Sequence, residues 1–357
     1  MFDSFGFEDT SAQQISVLFA LALGLLFGSL AEWTRFCFRR ALVGDDRRAA
    51  AGVWLTALAT AIIGTQAAVA AGLISFADHR FLSPDLPWLA ILLGGALFGG
   101  GMVLTRGCIS RLTVLSGSGN LRALLVIVVF AIIAHATLKG VLAPFRVWIG
   151  SFKLDLGAAA ALSALPGGAL LWSGALVMMC LIFAARSGNR WTVLAGGALI
   201  GLLSSLGWVG TGYVLLDDFD PITMESLSFT APSADTLFFA IAATSIPAGF
   251  GPGLIAGVLL GAALSALIAG RFSWVSFESP RQTGRYLLGA VLMGVGGVLA
   301  GGCTVGAGLS GVPTLSFAAC LAIVAIALGA LAMQRLLTRS VRGSGAPATR
   351  PAAQPAE

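Results

Sequence analysis

Long stretches without Asp, Glu, Lys or Arg alternate along the chain with short charged segments. Eight such runs stand out, at 10–31, 49–77, 86–105, 123–138, 156–185, 191–216, 236–270 and 286–334. A helix needs about 20 apolar residues to cross the hydrocarbon of a bilayer, so most runs predict one crossing. The last run has room for two crossings with a Gly-rich break at Gly301 to Gly311, which makes nine. The run 236–270 has room for a hairpin broken at Pro247 to Gly253, which would make ten. Loop charge chooses between them. Arg35, Arg39, Arg40, Arg47 and Arg48, then Arg106, Arg111 and Arg122, then Arg186 and Arg190 follow odd-numbered spans, whereas Asp217, Asp218, Asp220 and Glu225 follow the sixth. Basic loops are retained on the cytoplasmic side, so the N-terminus is expected outside. Nine crossings then leave Arg335, Arg339, Arg342 and Arg350 in the cytoplasm, and ten would not. The pattern predicts an all-α polytopic membrane protein with about nine transmembrane helices. It forms a single transmembrane domain over residues 1–339, followed by a Pro-, Ala-, Gly- and Ser-rich tail at 340–357 expected to be disordered.

Composition sharpens this picture. Hydrophobic residues make up 57% of the chain and charged residues only 10%, against roughly 25% charged in soluble domains. The 47 glycines suit membrane helices, whose packing depends on close backbone approach. The net charge of +5 carries no dense polybasic tract, so no nucleic-acid partner is expected. Cys37, Cys108, Cys180, Cys303 and Cys320 lie in or beside apolar runs, without disulfide or zinc spacing, and read as free thiols. Asp3, Glu8 and Asp9 precede the first run where a cleavable signal would be basic, so the first span is expected to remain. Neither a Walker A pattern, a dinucleotide fingerprint nor a metal-ligand cluster is present. No cofactor and no direct ATP coupling are expected.

The chain also resembles itself. Leu92 to Cys108 reads LLGGALFGGGMVLTRGC and Leu287 to Cys303 reads LLGAVLMGVGGVLAGGC, each ending in Gly-Cys. A weaker pair relates Gly24 to Cys37 with Gly197 to Gly210. Halves of about 12–155 and 168–338 are therefore expected, inverted about the membrane plane, an arrangement used by transporters with broken helices. Segments 108–117 and 303–311 are too short to cross and are expected to fold back as half-helices. Such backbone is tolerated only where protein buries it or it lines a cavity.

Cys37, Cys108 and Cys303 sit where a span meets a short segment. A thiol at the start of a half-helix meets unpaired N–H groups and the positive end of a dipole, conditions that favour an anion. Soft sulfur favours a sulfur-bearing anion over sulfate or phosphate. Free Cys is also commonly a small buried apolar side chain, and that reading is kept for Cys180 and Cys320, which lie mid-span. The candidate substrate-binding set is Cys37, Cys108 and Cys303 with Gly107, Gly302 and Thr304 flanking them. His135 and Lys139, one turn apart, could relay protons or anions. The preferred reading has Lys139 reaching the interface and His135 bonding a carbonyl. Glu32 is expected to pair with Arg35, and Ser226 to Thr236 is either a second re-entrant segment or an outer loop.

At these residues the chain resembles the YeeE/YedE family of sulfur-transport membrane proteins, from about residue 15 to 335. The likeness runs through Arg35-Phe36-Cys37-Phe38, Gly94 to Cys108, Gly119 to Ala123, Gly207 to Gly212, Ser226 to Asp235 and Gly301 to Gly306. The resemblance implies an hourglass-shaped protein of two pseudo-symmetric halves that takes thiosulfate across the bacterial inner membrane for cysteine synthesis. It implies relay of the ion along Cys37, Cys108 and Cys303 through S–H hydrogen bonds, and, in some relatives, a small cytoplasmic sulfur-carrier protein as partner. Selenium metabolism is associated with other relatives. Arg106 departs from the family pattern, which favours a small residue there, and adds a positive charge near Cys108. A membrane sulfurtransferase working through a cysteine persulfide is the alternative activity, and a structural or assembly protein whose cysteines only pack is the third reading.

Overall fold

A computed structural model describes residues 11–157, 160–217 and 221–343, with side chains described to residue 339. Thirteen α-helices follow in order: α1 (Ala12–Thr34), α2 (Phe38–Val43), α3 (Arg47–Ala70), α4 (Trp88–Leu104), α5 (Ile109–Gly117), α6 (Leu121–Lys139), α7 (Ala143–Gly150), α8 (Gly168–Ala185), α9 (Trp191–Val209), α10 (Thr230–Ala242), α11 (Phe250–Ile268), α12 (Pro280–Leu299) and α13 (Phe317–Gly343). A π-helical turn, Gly210–Val214, extends α9, and a second π-helix, Thr304–Gly311, follows α12. The described strands are the two-residue pairs Asp85–Leu86 and Leu154–Asp155.

Nine helical stretches among the described residues are long and apolar enough to cross a membrane. The fold is all-α and polytopic. The run 236–270 supplies one crossing helix, α11, because its first residues complete the 13-residue α10. The expected tail begins later than the composition suggests, since α13 continues to Gly343, and residues 344–357 lie outside the described residues. So do Asp3, Glu8, Asp9, Asp218 and Asp220.

Large apolar side chains point outward, as with Leu170 at 87% and Ile268 at 79% exposure, while glycine and alanine fill the helix interfaces. α1 packs along α11 and α3 along α9; α4 packs against both α12 and α13, and α6 against α12. A Cβ at Gly24 or Gly257 would overlap the backbone of the facing helix in the α1–α11 pair, and one at Gly201 would overlap the Ala57 carbonyl in the α3–α9 pair. Without water, helix association depends on such close packing and on polar contacts across it. Ser29 Oγ donates to the Gly261 carbonyl (3.0 Å) across the first pair, and Thr60 Oγ1 to the Ala198 carbonyl (2.9 Å) across the second.

α1 thus packs on α11 and α9 on α3, while α4 packs on α13 and α12 on α6. The short helices follow suit, with α5 packed on α11 and the Thr304–Gly311 helix on α3. α8 stands apart from these pairs and leans chiefly on α3.

Candidate functional site

One local design occurs three times. α1 ends at Thr34, Arg35 takes a left-handed conformation (φ 53°, ψ 43°), and two residues later an extended Cys37 caps α2. α4 ends at Leu104, Arg106 is left-handed (φ 61°), and two residues later an extended Cys108 (φ −75°, ψ 163°) caps α5. α12 ends at Leu299, Gly301 is left-handed (φ 76°), and two residues later an extended Cys303 (φ −85°, ψ −176°) caps the Thr304–Gly311 helix. A left-handed residue terminates a helix by turning the chain away from its axis. The extended residue that follows can then start a new helix in another direction. Arg35 and Arg106 adopt this conformation without glycine's freedom, at a cost of roughly 1–2 kcal/mol each. Phe229 precedes α10, and its ring lies 5.3 Å from that of Phe27.

These turns bring the three cysteines together in the interior. Cys37, Cys108 and Cys303 are 6%, 1% and 0% exposed and belong to one packed cluster. The Cys37 and Cys108 thiols are close enough to influence one another electrostatically. Cys108 Sγ lies 3.2 Å from Ser110 Oγ. On its other flank stands the buried Thr304 side chain. Cys303 Sγ accepts from the Gly306 N–H at 3.4 Å, with the Phe229 and Val305 backbone also facing it. Gly107 and Gly302 are buried beside their cysteines; a Cβ would meet Leu112 at 3.2 Å in the first case and the Ala307 nitrogen at 3.0 Å in the second. All six residues of the candidate set thus fall in one place, with Cys108 in the middle. Cys180, fully buried on α8 between exposed neighbours, belongs to the same packed cluster, and Cys320, partly buried on α13, packs against it, but both lie within long helices and neither opens a short one. All five cysteines are free.

Several residues take positions that sequence alone did not give them. Arg111, expected as a loop charge, is only 8% exposed and lies beside Cys37, Glu32 and Cys108. Its Nη1 donates to the Ala31 carbonyl at 3.2 Å, which uses one of five guanidinium N–H groups. Arg122, also expected in a loop, is 4% exposed. Glu32 does not pair with Arg35: its Oε2 accepts from Arg271 at 2.7 Å and from Ser265 Oγ at 3.0 Å, because α1 ends against the end of α11. The available signal for Arg111 was its position three residues after Cys108, inside a segment too short to leave the protein. Arg106 is exposed, so its charge is not beside the buried thiols.

Ser226 to Thr236 is built into the core rather than looping outside it. Ser226, Leu227 and Phe229 are buried and lead into α10. Ser226, Ser204 and Ser310 form a hydroxyl cluster, with Ser204 Oγ 2.9 Å from Ser310 Oγ and 3.3 Å from Ser226 Oγ. Trp208 Nε1 donates to the Ser310 carbonyl at 3.1 Å. The cluster lies toward the C-terminal end of α9. From there Thr211 Oγ1 donates to the Glu225 carbonyl at 2.7 Å. Glu225 borders a cavity of about 410 Å³ together with Asp235 and Lys139. His135 stacks on Phe238 with ring centroids 4.8 Å apart. Lys139 thus lines this cavity with Asp235, His135 lies behind Phe238 within electrostatic reach of Asp235, and neither is part of the cysteine cluster. Among the described residues no group of His, Cys, Asp and Glu is arranged to hold a metal ion.

Chemically, the cluster offers soft S–H donors, a hydroxyl, backbone N–H groups at the start of two short helices and one buried guanidinium. These groups complement an anion that presents both a polarisable atom and hard oxygens. A profile described as "Sulphur transport" matches residues 33–332. The chain is 28% identical over 345 residues to the thiosulfate transporter TsuA of Spirochaeta thermophila, covering 89% of this chain and 98% of that protein. It is 25% identical over 341 residues to the thiosulfate transporter TsuA of Escherichia coli, covering 88% of this chain and 92% of that one.

Proposed function

The chain belongs to the sulphur transport family, and from that premise we propose that it carries thiosulfate, or a closely related sulfur-bearing anion, across the bacterial inner membrane for sulfur assimilation. The route runs along Cys303, Cys108 and Cys37, with Thr304, Gly107 and Gly302 completing the binding set. Repeats at about 12–155 and 168–338 hold the two sides of this route, and a small cytoplasmic sulfur-carrier protein receives the product. One observation carries the reading: three cysteines far apart in sequence, each opening a short helix, meet in the buried centre.

Thiosulfate has one soft terminal sulfur and three oxygens sharing two negative charges. A thiol donates its proton to the soft end, and the backbone N–H groups and Arg111 compensate the charge. Hydrogen bonds to charged groups contribute about 1.5–3 kcal/mol each, enough to offset part of the dehydration of the ion while leaving it free to move on. The thiols exchange hydrogen bonds with the passing ion and remain unmodified. Growth on thiosulfate as sole sulfur source, in a bacterium lacking its own thiosulfate importers, tests the assignment. Correctly inserted protein that gives no growth, alone and with a sulfur-carrier partner, would overturn it.

The outer cavity adds a pH dependence. Burial, then the neighbouring Asp235, raise the Glu225 carboxyl to about 7, against the lowering influence of Arg80. Below that value Glu225 is neutral. Above it the carboxylate adds a negative charge to a cavity already shared with Asp235, and this opposes a dianion. Initial uptake of labelled thiosulfate is therefore expected to slow as pH rises from about 6 to about 8, and Glu225→Gln to flatten that profile. Equal slopes in the two proteins would remove Glu225 from the route.

A further inference from the structure

A wide groove lies away from the cysteines, on the flank of α8. It holds about 660 Å³ and is lined by Met178, Met179, Ile182 and Phe183, with Arg48 and Arg186 at one end. We propose that this groove binds an anionic phospholipid, the two arginines holding the phosphate and the apolar slot holding one acyl chain.

Charge and length both fit that occupant. Arg48 lies in the first turn of α3 and Arg186 caps the end of α8, so both sit at the same end of the helix pair, beside the loop that the charge pattern assigns to the cytoplasmic side. Both are exposed, and neither takes part in an ion pair among the described residues. Basic sites at that level of a membrane favour anionic headgroups. The slot runs from Arg186 to Ala175, a helical rise of about 16 Å. That is about half of the ~30 Å hydrocarbon thickness, the reach of one acyl chain in one leaflet.

The site is also held in place. Asn189 Nδ2 donates to the Ala49 carbonyl (2.8 Å) and to Ser187 Oγ (2.9 Å), and Ser187 Oγ donates to the Ala184 carbonyl (2.6 Å). These contacts tie the end of α8 to the start of α3, fixing the spacing of the two guanidinium groups. Above them Met178 and Met179 are 63% and 59% exposed while Cys180 between α8 and the core is fully buried. Flexible methionines adapt to a mobile chain. A second copy of this protein is a poorer occupant, because a two-fold contact centred on the groove would bring the same arginines together.

The inference depends on the membrane setting and not on the transported ion. Native mass spectrometry and thermal unfolding of the purified full chain test it, with phosphatidylglycerol, phosphatidylcholine or inorganic phosphate added. The expected result is a monomer that retains phosphatidylglycerol and is stabilised by it. An Arg48→Ala, Arg186→Ala variant is expected to bind that lipid about fivefold more weakly per arginine removed, about thirtyfold in all. Ala175→Trp, which leaves both arginines and fills the slot, is expected to lose the same adduct and gives a second reading if the double variant fails to fold. Equal retention of phosphatidylglycerol by the parent and either folded variant would overturn the proposal. So would equal binding of phosphatidylcholine, stabilisation by inorganic phosphate alone to the same degree, or a dimer that disappears when the groove is filled.

Discussion

Alanine at Cys108 is expected to abolish thiosulfate-dependent growth while leaving the protein folded and inserted. Cys108 is the middle position, with the Cys37 thiol near it on one side and Thr304 and then Cys303 on the other. Its removal takes away the central donor and leaves a gap of about one sulfur atom in the route. Loss of one hydrogen bond to a charged ligand corresponds to about 1.5–3 kcal/mol, or an uptake defect of about ten- to more than a hundredfold. Cys37→Ala and Cys303→Ala are expected to be less severe, since each leaves Cys108 with one thiol neighbour. The serine variant separates two mechanisms. A hydroxyl still donates a hydrogen bond, so Cys108→Ser should retain measurable uptake under relay. A persulfide needs sulfur, so a sulfurtransferase would lose activity equally with serine and alanine and would show a mass increase of one sulfur on the parent protein during turnover. Uptake by Cys108→Ala equal to the parent's would sink the relay.

Neutralising Arg111 is expected to have the second large effect. A guanidinium at 8% exposure is costly to bury unless something compensates it. Glu32 is the nearby carboxylate, yet it already receives Arg271 at 2.7 Å and Ser265 at 3.0 Å. Arg111 therefore retains positive charge beside Cys37 and Cys108, where a passing anion would be stripped of water. At an effective dielectric of ~20, a charge about 6 Å away contributes about 3 kcal/mol per unit of opposite charge. Arg111→Gln is expected to weaken thiosulfate uptake on the order of a hundredfold, read as a rise in the half-saturating concentration. Arg111→Lys keeps the charge and should recover part of the loss. If Arg111 served only to neutralise Glu32, the variant would lower thermal stability and leave the half-saturating concentration of the surviving protein unchanged.

Both predictions join residues whose sequence signals were unequal. Cys108 and Cys303 were visible because two stretches of similar sequence end in Gly-Cys, and the breaks at Gly107 and Gly302 mark the start of short helices. Cys37 had a weaker signal, since its counterpart in the second half carries no cysteine. Arg111 gave the opposite impression: an arginine between apolar runs reads as a loop charge, and only the packing of α5 against α1 and α11 makes it interior. The hydroxyls of Ser204, Ser226 and Ser310 were similarly hidden, being spread over about a hundred residues and joined only when α9 and the Thr304–Gly311 helix pack together.

Uncharged apolar runs determined the membrane setting and the broken helices, because hydrocarbon excludes unpaired charge and backbone so strongly that run length decides, and loop charge then chose nine crossings over ten. The positions of the cysteines at those breaks were equally determined by local chemistry. What tertiary structure decided was which breaks meet. Three left-handed turns at Arg35, Arg106 and Gly301 redirect the chain so that a buried cysteine starts each short helix, and close glycine-lined crossings join α1 to α11 and α3 to α9 around them. The partner of Glu32, the burial of Arg111 and the groove on α8 follow from those crossings. Interhelical distance and rotation depend on contacts between residues hundreds of positions apart, and no local pattern in either segment encodes them.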